Sequence, residues 1–177
     1  METERLLLRR IEDTDDKDIF ELAKDPDIGP RCGWNPHKDI EETRFVIKNV
    51  LNGPECYAIC FKDEGKIIGV IELMLNGGSI NSGHEDECEL GYWLGRQYWG
   101  KGIMPEAAEE MIRHGFEDLG MNRIWCGYYD GNSQSARVQE KCGFKYQYSE
   151  DRYVALMEEN RTDHVNLLTR EEWEKNR

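Results

Sequence analysis

This sequence has no long hydrophobic run, and its apolar stretches are short, for example Ile67–Ile68 and Leu73–Leu75. A membrane-spanning helix needs about 20 consecutive, mainly apolar residues. The first residues, METERLLLRRIEDTDD, also lack the apolar segment of a signal peptide. We therefore expect a soluble, cytoplasmic protein with no membrane partner.

Positive charge is scarce. The chain has 23 Lys and Arg residues against 36 Asp and Glu residues, which gives a formal net charge of −13. Nucleic-acid binding depends on Lys and Arg contacts to phosphates, so this composition argues against a nucleic-acid partner. The same acidic field favours cationic partners such as amines and basic peptide ends, although it would also serve solubility alone.

Cysteine pairs with metal-ligand spacing are missing. None of the six cysteines forms a CxxC pair, and no Cys/His cluster has zinc-ligand spacing. We therefore expect no metal site, and reduced, mostly buried thiols rather than a disulfide framework. A catalytic cysteine is the alternative, with Cys88 and Cys142 as its candidates.

Internal repeats and low-complexity linkers are also missing, and 177 residues suffice for one hydrophobic core. We therefore expect residues 1–177 to form a single domain. Hydrophobic periodicity and turn residues predict an α/β fold with a mixed sheet. The predicted strands are Arg5–Ile11, Cys56–Phe61, Lys66–Leu75, Glu89–Gly95, Arg123–Tyr129, Phe144–Ser149 and Asp163–Leu168. The predicted helices are Asp15–Lys24, Asp39–Leu51, Met104–Leu119, one between Asn132 and Gly143, and a closing turn or helix in TREEWEK.

The segment Glu89–Tyr129 reads as strand, helix, strand. Such a unit places its two strands parallel, with a right-handed crossover. The segments 25–38 and 76–87, rich in proline or in glycine and polar residues, are predicted to be loops.

A glycine turn, RQYWGKGIMPEA, joins this strand to this helix. Gly100 and Gly102 remove side chains where the free N–H groups and the dipole of a helix start create an anion site. Lys101 adds positive charge, and Pro105 suits the first helical position. Glu106, Glu109 and Glu110 would compete with an anion unless they point away. A tight turn that uses its glycines for geometry alone is the other interpretation.

Two other phosphate-binding loops are excluded. A Walker A loop requires GxxxxGK[ST], which Lys101-Gly102-Ile103 does not supply. A dinucleotide-binding fingerprint requires GxGxxG, and Pro105 occupies the position of its third glycine.

The segment DGNSQSARVQEKCGF, from Asp130 to Phe144, is the second signal. Asn132 can cap a helix that Gly143 ends. Ser135 lies one turn into this helix, on the same face as Gln139.

In combination, the Gln97-x-x-Gly100-x-Gly102 turn and the later Asn132-x-x-Ser135 segment, followed by KCGF, resemble the Gcn5-related N-acetyltransferase (GNAT) superfamily. RLLLR, ELGYWL and DHVNLLTREEW are similar to the branch of the ribosomal-protein N-terminal acetyltransferases RimJ and RimL. The resemblance covers nearly the whole chain. It implies a mixed sheet of about seven strands with a splayed parallel pair, and about four flanking helices.

The resemblance further implies acetyl-CoA as co-substrate and an amine as acceptor. The pantetheine arm would pair with strand backbone, the pyrophosphate would bind the turn amides, and the thiol end would lie beside the second helix. The implied cofactor-binding residues are Tyr92, Trp93, Leu94, Gln97, Gly100, Lys101, Gly102, Ile103, Met104, Asn132 and Ser135.

Acetyl transfer to an amine needs a base for the ammonium, because its pKa is about 10. A backbone N–H on the splayed strand could polarise the thioester carbonyl. Glu89 is the favoured base, directly or through a water, and Glu72 the favoured contact for the substrate ammonium. His84 and Glu85, in the polar loop 76–87, are further candidates for these roles.

The general acid departs from the family pattern. Many members carry a tyrosine four residues before the glycine of the KxGF segment, and this chain has Gln139 there. As the RimL-like branch suggests, the role moves to Ser135, with Tyr128, Tyr129 and Tyr146 as alternatives.

The sequence leaves two classes of acceptor, a protein N-terminus and a small amine. Trp34 is either a lid residue over the acceptor or an anchor packed in its loop. A non-catalytic acyl-CoA-sensing module is the alternative function, motivated by the missing tyrosine. An exposed strand near the C-terminus could also pair two copies into a homodimer.

Overall fold

A seven-stranded mixed sheet organises the structure, a computed structural model that describes residues 1–75, 78, 80 and 84–176. The strand order is β1-β2-β3-β4-β5-β7-β6. The strands are β1 Leu6–Arg10, β2 Cys56–Phe61, β3 Ile67–Met74, β4 Glu87–Leu94, β5 Arg123–Tyr129, β6 Lys145–Val154 and β7 Glu159–Thr169. The helices are α1 Asp16–Ala23, α2 Gly29–Cys32, α3 Ile40–Asn49, α4 Ile103–Arg113, α5 Ser133–Lys141 and α6 Arg170–Lys175.

The expected fold class is confirmed: the sheet is mixed and includes one parallel pair. Four of the helices in the described part of the chain, α1, α3, α4 and α5, have eight residues or more. The two short ones, α2 and α6, raise the count above the expected four. α2 lies in a segment that the sequence analysis assigned to loop, because its Gly29-Pro30 start resembles turn chemistry.

Helix α4 begins one residue earlier than predicted. Gly102 is its N-cap, so Pro105 occupies the third helical position rather than the first. Proline is tolerated there because the first four N–H groups of a helix have no intrahelical acceptor. After Arg113 the helix continues as a π-helical turn, His114–Asp118.

Strands β4 and β5 run parallel, but their pairing is short. It joins Glu87 to Arg123 and ends where Glu89 pairs with Trp125. Of the residues that follow in these two fully described strands, none is paired with the other strand. The strands therefore separate beyond Glu89, which is the expected splayed pair.

Each face of the sheet carries its own core. α4 packs Met111 and Ile112 against one face, together with Phe116 of the π-helical turn. α1 and α3 cover the other face with Ile19 and Ile47. This arrangement agrees with the hydrophobic periodicity from which these helices are predicted.

The last two strands are longer than predicted and form an edge hairpin, with β6 at the border of the sheet. The strand β6 leaves several aromatic side chains exposed, including Tyr146 and Tyr153. Hydrophobic periodicity does not predict these strand extensions, because exposed edge strands rich in polar residues carry little hydrophobic signal. No helix in the described part of the chain combines the length and apolar character required to cross a membrane.

Candidate active site

A cavity of about 660 Å³ opens where β4 and β5 separate. Its walls come from β4, the glycine turn, the start of α4, the end of β5 and α5. The structure brings most of the predicted site residues to this cavity. Those that line it are Glu89, Tyr92, Trp93, Leu94, Gly100, Gly102, Ile103, Met104, Asn132 and Ser135.

The glycine turn has the left-handed geometry that glycine allows. Gly100 and Gly102 both have φ of +72°, a conformation that costs other residues roughly 1–2 kcal/mol. A Cβ built on Gly100 meets no atom within 4 Å, and one on Gly102 comes no closer than 3.7 Å to Arg5. Backbone conformation, and not crowding by other parts of the protein, therefore accounts for both glycines.

The backbone amides of this turn lack protein acceptors in the described part of the chain, and Gly100, Gly102, Ile103 and Met104 line the cavity. Within the described residues, no hydrogen bond is donated by the N–H groups of Gly100, Lys101, Gly102, Ile103 or Met104. The positive end of the α4 dipole lies at the same point. Five adjacent free donors at a helix start form a site for an anion.

Two predicted cofactor residues do not line the cavity. Gln97 lies exposed in the 3₁₀ turn Arg96–Tyr98. The Lys101 ammonium is exposed and lies 5.9 Å from the centroid of the Tyr98 ring. Their contribution to cofactor binding stays a prediction.

Glu106, the carboxylate expected to compete with a bound anion, is held away by the N-terminal segment. Its Oε1 accepts hydrogen bonds from the Thr3 hydroxyl at 2.5 Å and the Arg5 N–H at 2.9 Å. Its Oε2 accepts one from the Arg5 guanidinium at 2.6 Å. Although burial opposes ionisation, these hydrogen bonds lower the pKa of the Glu106 carboxyl. Arg5 also donates to the Lys101 carbonyl at 3.2 Å, which ties the turn itself to β1.

Glu89 and Glu72 lie on the same face of the sheet, but only Glu89 reaches the cavity. Glu89 is 7% exposed, and its Oε2 accepts the backbone N–H of Ile80 at 2.9 Å. Glu72 pairs across the sheet with Gly91 and lies against Gly53. Burial raises the pKa of the Glu72 carboxyl, Arg10 counteracts this rise, and the charge of Glu89 adds to it.

Helix α5 presents the predicted Asn132 and Ser135. The Asn132 side chain accepts the Ser135 N–H at 3.3 Å, as a cap does, and donates to the carbonyl of Arg31 at 3.3 Å. The Ser135 hydroxyl lies 3.0 Å from the hydroxyl of Tyr92 and accepts the Gln139 amide N–H at 3.2 Å. Glu89 and Tyr92 point to opposite faces of β4, so the gap between the strands has Glu89 on one side and Ser135 on the other.

The alternative thiol nucleophiles lie outside the cavity lining. Burial raises the pKa of the Cys88 thiol to about 12, and burial raises that of Cys142 to about 12 as well. Both thiols therefore stay protonated at neutral pH, which argues against a thiolate nucleophile.

The alternative general acids differ in whether they line the cavity. Tyr128 and Tyr129 line the cavity, whereas Tyr146 is exposed on β6. Among the remaining options, His84 and Glu85 are exposed and do not line the cavity.

Trp34 is half-buried and packs edge-on against Trp93, with ring centroids 5.9 Å apart, beside His37. This packing favours the anchor interpretation over a lid. Of the polar loop 76–87, residues 76, 77, 79 and 81–83 lie outside the described part of the chain.

Several lining residues were missed by the sequence analysis. Asp163 lines the cavity at 5% exposure, and Arg31 lines it from α2. Burial raises the pKa of the Asp163 carboxyl, an effect that Arg152 counteracts. The sequence could have identified Arg137 and Lys141. Arg137 lies four residues after Ser133 and Lys141 four residues after Arg137, so they lie on successive turns of the helix that Asn132 caps. Asp163 carried no local signal, since its place depends on how β7 pairs with β5.

The described residues contain no group of three or more His, Cys, Asp or Glu side chains that could hold a metal ion. Carboxylates, hydroxyls and backbone amides line the cavity.

Comparison with known proteins gives consistent matches. The model of the acetyltransferase (GNAT) domain matches residues 5–145. The uncharacterised N-acetyltransferase p20 of Bacillus licheniformis is 29% identical over 148 residues, which cover 81% of this chain and 80% of that protein. An Escherichia coli enzyme named as the ribosomal protein uS5-alanine N-acetyltransferase is 33% identical over 113 residues, 63% of this chain and 55% of that protein. The crystal structure of a GNAT-family acetyltransferase from Bacillus anthracis superposes with a TM-score of 0.84 at 26% identity, covering 97% of this chain and 99% of that one.

Proposed function

The chain belongs to the GNAT acetyltransferase family, and we propose that it transfers the acetyl group of acetyl-CoA directly to a primary amine. One observation carries this proposal. The cavity between the separating strands is lined by residues of the glycine turn whose backbone N–H groups donate no hydrogen bond within the described residues, and by a buried carboxylate, Glu89, further along β4. An anion-binding end and a proton-accepting end are what a phosphate-bearing thioester and an amine require.

The pyrophosphate of acetyl-CoA would bind the amides of Gly100–Met104, with Lys101 and Gln97 at the edge of the turn. The pantetheine arm would run along the backbone of Tyr92–Leu94, where β4 has no partner on the β5 side. The thiol end would then lie near Asn132 and Ser135 on α5. The residues present fit this ligand, because free N–H donors and strand backbone match its phosphate and amide groups.

Glu89 would accept a proton from the acceptor ammonium, directly or through a water, and release it to solvent before the neutral amine attacks. As the amine nitrogen bonds to the carbonyl carbon, the C–S bond breaks and its electron pair leaves with the sulfur. Ser135 donates a hydrogen bond to that sulfur, and the amine proton passes to Glu89. A backbone N–H of the free β4 edge polarises the carbonyl.

The acceptor is proposed to be cationic before it reacts, since Glu89 and Asp163 both line the cavity. The stated substrate of the Escherichia coli relative favours a protein N-terminus; a small amine is the other class. Glu72 as a contact for the acceptor ammonium, a homodimer and a cytoplasmic location stay predictions.

CoA release with a panel of peptides and small amines tests the proposal. The peptides should differ in the first residue, and the small amines should include amino acids, polyamines and amine drugs. We expect turnover with at least one primary amine and none with its N-acetylated form. If acetyl-CoA binds by calorimetry while no amine turns over, the acyl-CoA-sensing alternative replaces the enzyme. If acetyl-CoA does not bind, both interpretations fail.

A further inference from the structure

Ser135 lies in a buried network of hydrogen bonds. Gln139, which is 1% exposed, donates from Nε2 to the Gly127 carbonyl at 3.0 Å and to the Ser135 hydroxyl oxygen at 3.2 Å. Its Oε1 accepts the amide N–H of Asn166 at 2.6 Å. The Gly127 carbonyl accepts only, so it requires the NH₂ group of Gln139 on its side. The amide orientation of Gln139 is therefore fixed at both ends.

Tyr92 supplies the other contact of the Ser135 hydroxyl. Its hydroxyl donates to the Ser135 carbonyl oxygen at 3.3 Å and lies 3.0 Å from Ser135 Oγ, a contact in which either oxygen can be the donor. Burial raises the pKa of Tyr92 well above its ordinary value of 10.0. The tyrosine therefore keeps its proton at neutral pH and can donate a hydrogen bond to Ser135.

A serine hydroxyl has one proton to donate and two lone pairs that accept. Gln139 occupies one lone pair of Ser135, and Tyr92 occupies the other when Tyr92 is the donor of the 3.0 Å contact. The O–H bond of Ser135 then points away from both donor groups. Ser135 lines the cavity and Gln139 does not.

We propose that Tyr92 donates a hydrogen bond to Ser135 Oγ, and that Gln139 and Tyr92 are positioning residues that together direct the Ser135 hydroxyl proton into the cavity, toward the sulfur of the thioester. This inference rests on the proposed function. When the C–S bond breaks, the electron pair on sulfur receives a hydrogen bond from Ser135, while Gln139 and Tyr92 keep their protons. Ser135 is thus the donor to the sulfur, and Gln139 and Tyr92 orient it.

The pKa of the CoA thiol in the enzyme–CoA complex measures this hydrogen bond without any acceptor amine. Thiolate absorbance is titrated in the wild type and in Ser135→Ala, Tyr92→Phe and Gln139→Met. Loss of a hydrogen bond to a charged sulfur should raise the thiol pKa by about one to two units in Ser135→Ala. Tyr92→Phe and Gln139→Met should raise it by a smaller amount in the same direction.

The double variant Tyr92→Phe/Ser135→Ala separates positioning from direct action. Because Tyr92 acts only through Ser135, its loss should add nothing once Ser135 is alanine. With an acceptor amine, the same variants should lower kcat and leave the KM for acetyl-CoA unchanged. Tyr153→Phe and Gln147→Met, on the exposed strand β6, serve as matched controls and should behave as the wild type.

The inference is overturned if Ser135→Ala leaves the thiol pKa unchanged, or if Tyr92→Phe leaves it unchanged while Ser135→Ala raises it. It is also overturned if Tyr92→Phe shifts the pKa equally in the Ser135→Ala background. Should Gln139→Met fail to fold, the Tyr92 cycle decides alone. A wild type that binds no CoA would defeat the proposed function and this inference with it, whereas a complex whose thiol titrates alike in all variants defeats only the inference.

Discussion

Glu89 has a carboxylate that is buried, lines the cavity and accepts a backbone N–H of Ile80. We expect Glu89→Gln to lower kcat by about 10²-fold or more, the range for loss of a general base. The Kd for acetyl-CoA should stay the same, because the amide keeps the size of the side chain. Steady-state kinetics and calorimetry measure the two effects, with Glu64→Gln in the exposed β2–β3 turn as control. An unchanged kcat would remove Glu89 from the mechanism.

Glu72 carries a testable pH dependence. Because burial raises its pKa above the ordinary value of 4.5 in the folded state, its contribution to stability is fully present below that value. The contribution is lost as the pH rises through the higher, folded-state pKa. We therefore expect Glu72→Gln to gain stability relative to the wild type as the pH rises from 4.5 toward neutrality.

Urea unfolding at several pH values measures this difference. A stability difference that does not change with pH would contradict the raised pKa. If Glu72 also contacts the acceptor, the same variant should raise the KM for the amine and leave acetyl-CoA binding unaffected.

Among single residues, those with local signals were predictable from the sequence. Gly102 and Gly143 stand at helix boundaries with positive φ, and the Asn132 cap needs only its own helix. The hydrogen bond between Tyr92 and Ser135 joins residues 43 positions apart. It depends on how β4 faces α5, which no local pattern encodes, and so the sequence analysis assigned Tyr92 only a backbone role.

At the scale of elements, the start of α4 is the feature that binds the anion. A methyl group on Gly102 would stand beside the free amides, so we expect Gly102→Ala to weaken acetyl-CoA binding about tenfold by calorimetry. The left-handed φ of +72° adds a folding cost of roughly 1–2 kcal/mol.

Gly120→Ala is the matched control for that cost. Gly120 has φ of +74° and open space around a built Cβ, and it is not among the residues that line the cavity. Both variants should lose similar stability, and only Gly102→Ala should lose affinity. Equal affinities would contradict the placement of the pyrophosphate.

The elements themselves were largely predictable, since their order and most boundaries follow from hydrophobic period and caps. Two exceptions have physical causes. The short helix α2 begins with Gly-Pro, which resembles a turn, and the β6–β7 hairpin is polar along its outer half.

At the scale of the whole molecule, three paired positions join β4 to β5 and so connect the two halves of the sheet. A ligand in the gap would contact both halves. We expect acetyl-CoA at 100 times its Kd to raise the free energy of unfolding by about 2.7 kcal/mol, or the melting temperature by about 5–10 °C.

Both halves should unfold in one transition, as the predicted single domain requires, with amides of β2 and β7 losing protection together. Calorimetry and amide hydrogen exchange report these two quantities. Two separate transitions, of which the ligand moves only one, would show that the halves are independent units.

The link between Arg5 and Glu106 spans 101 residues of sequence. While Thr3 and Arg5 hold its carboxylate, Glu106 does not bind the amides of the glycine turn. An anion site at the start of α4 therefore depends on the first residues of the chain, which lie far away in the sequence.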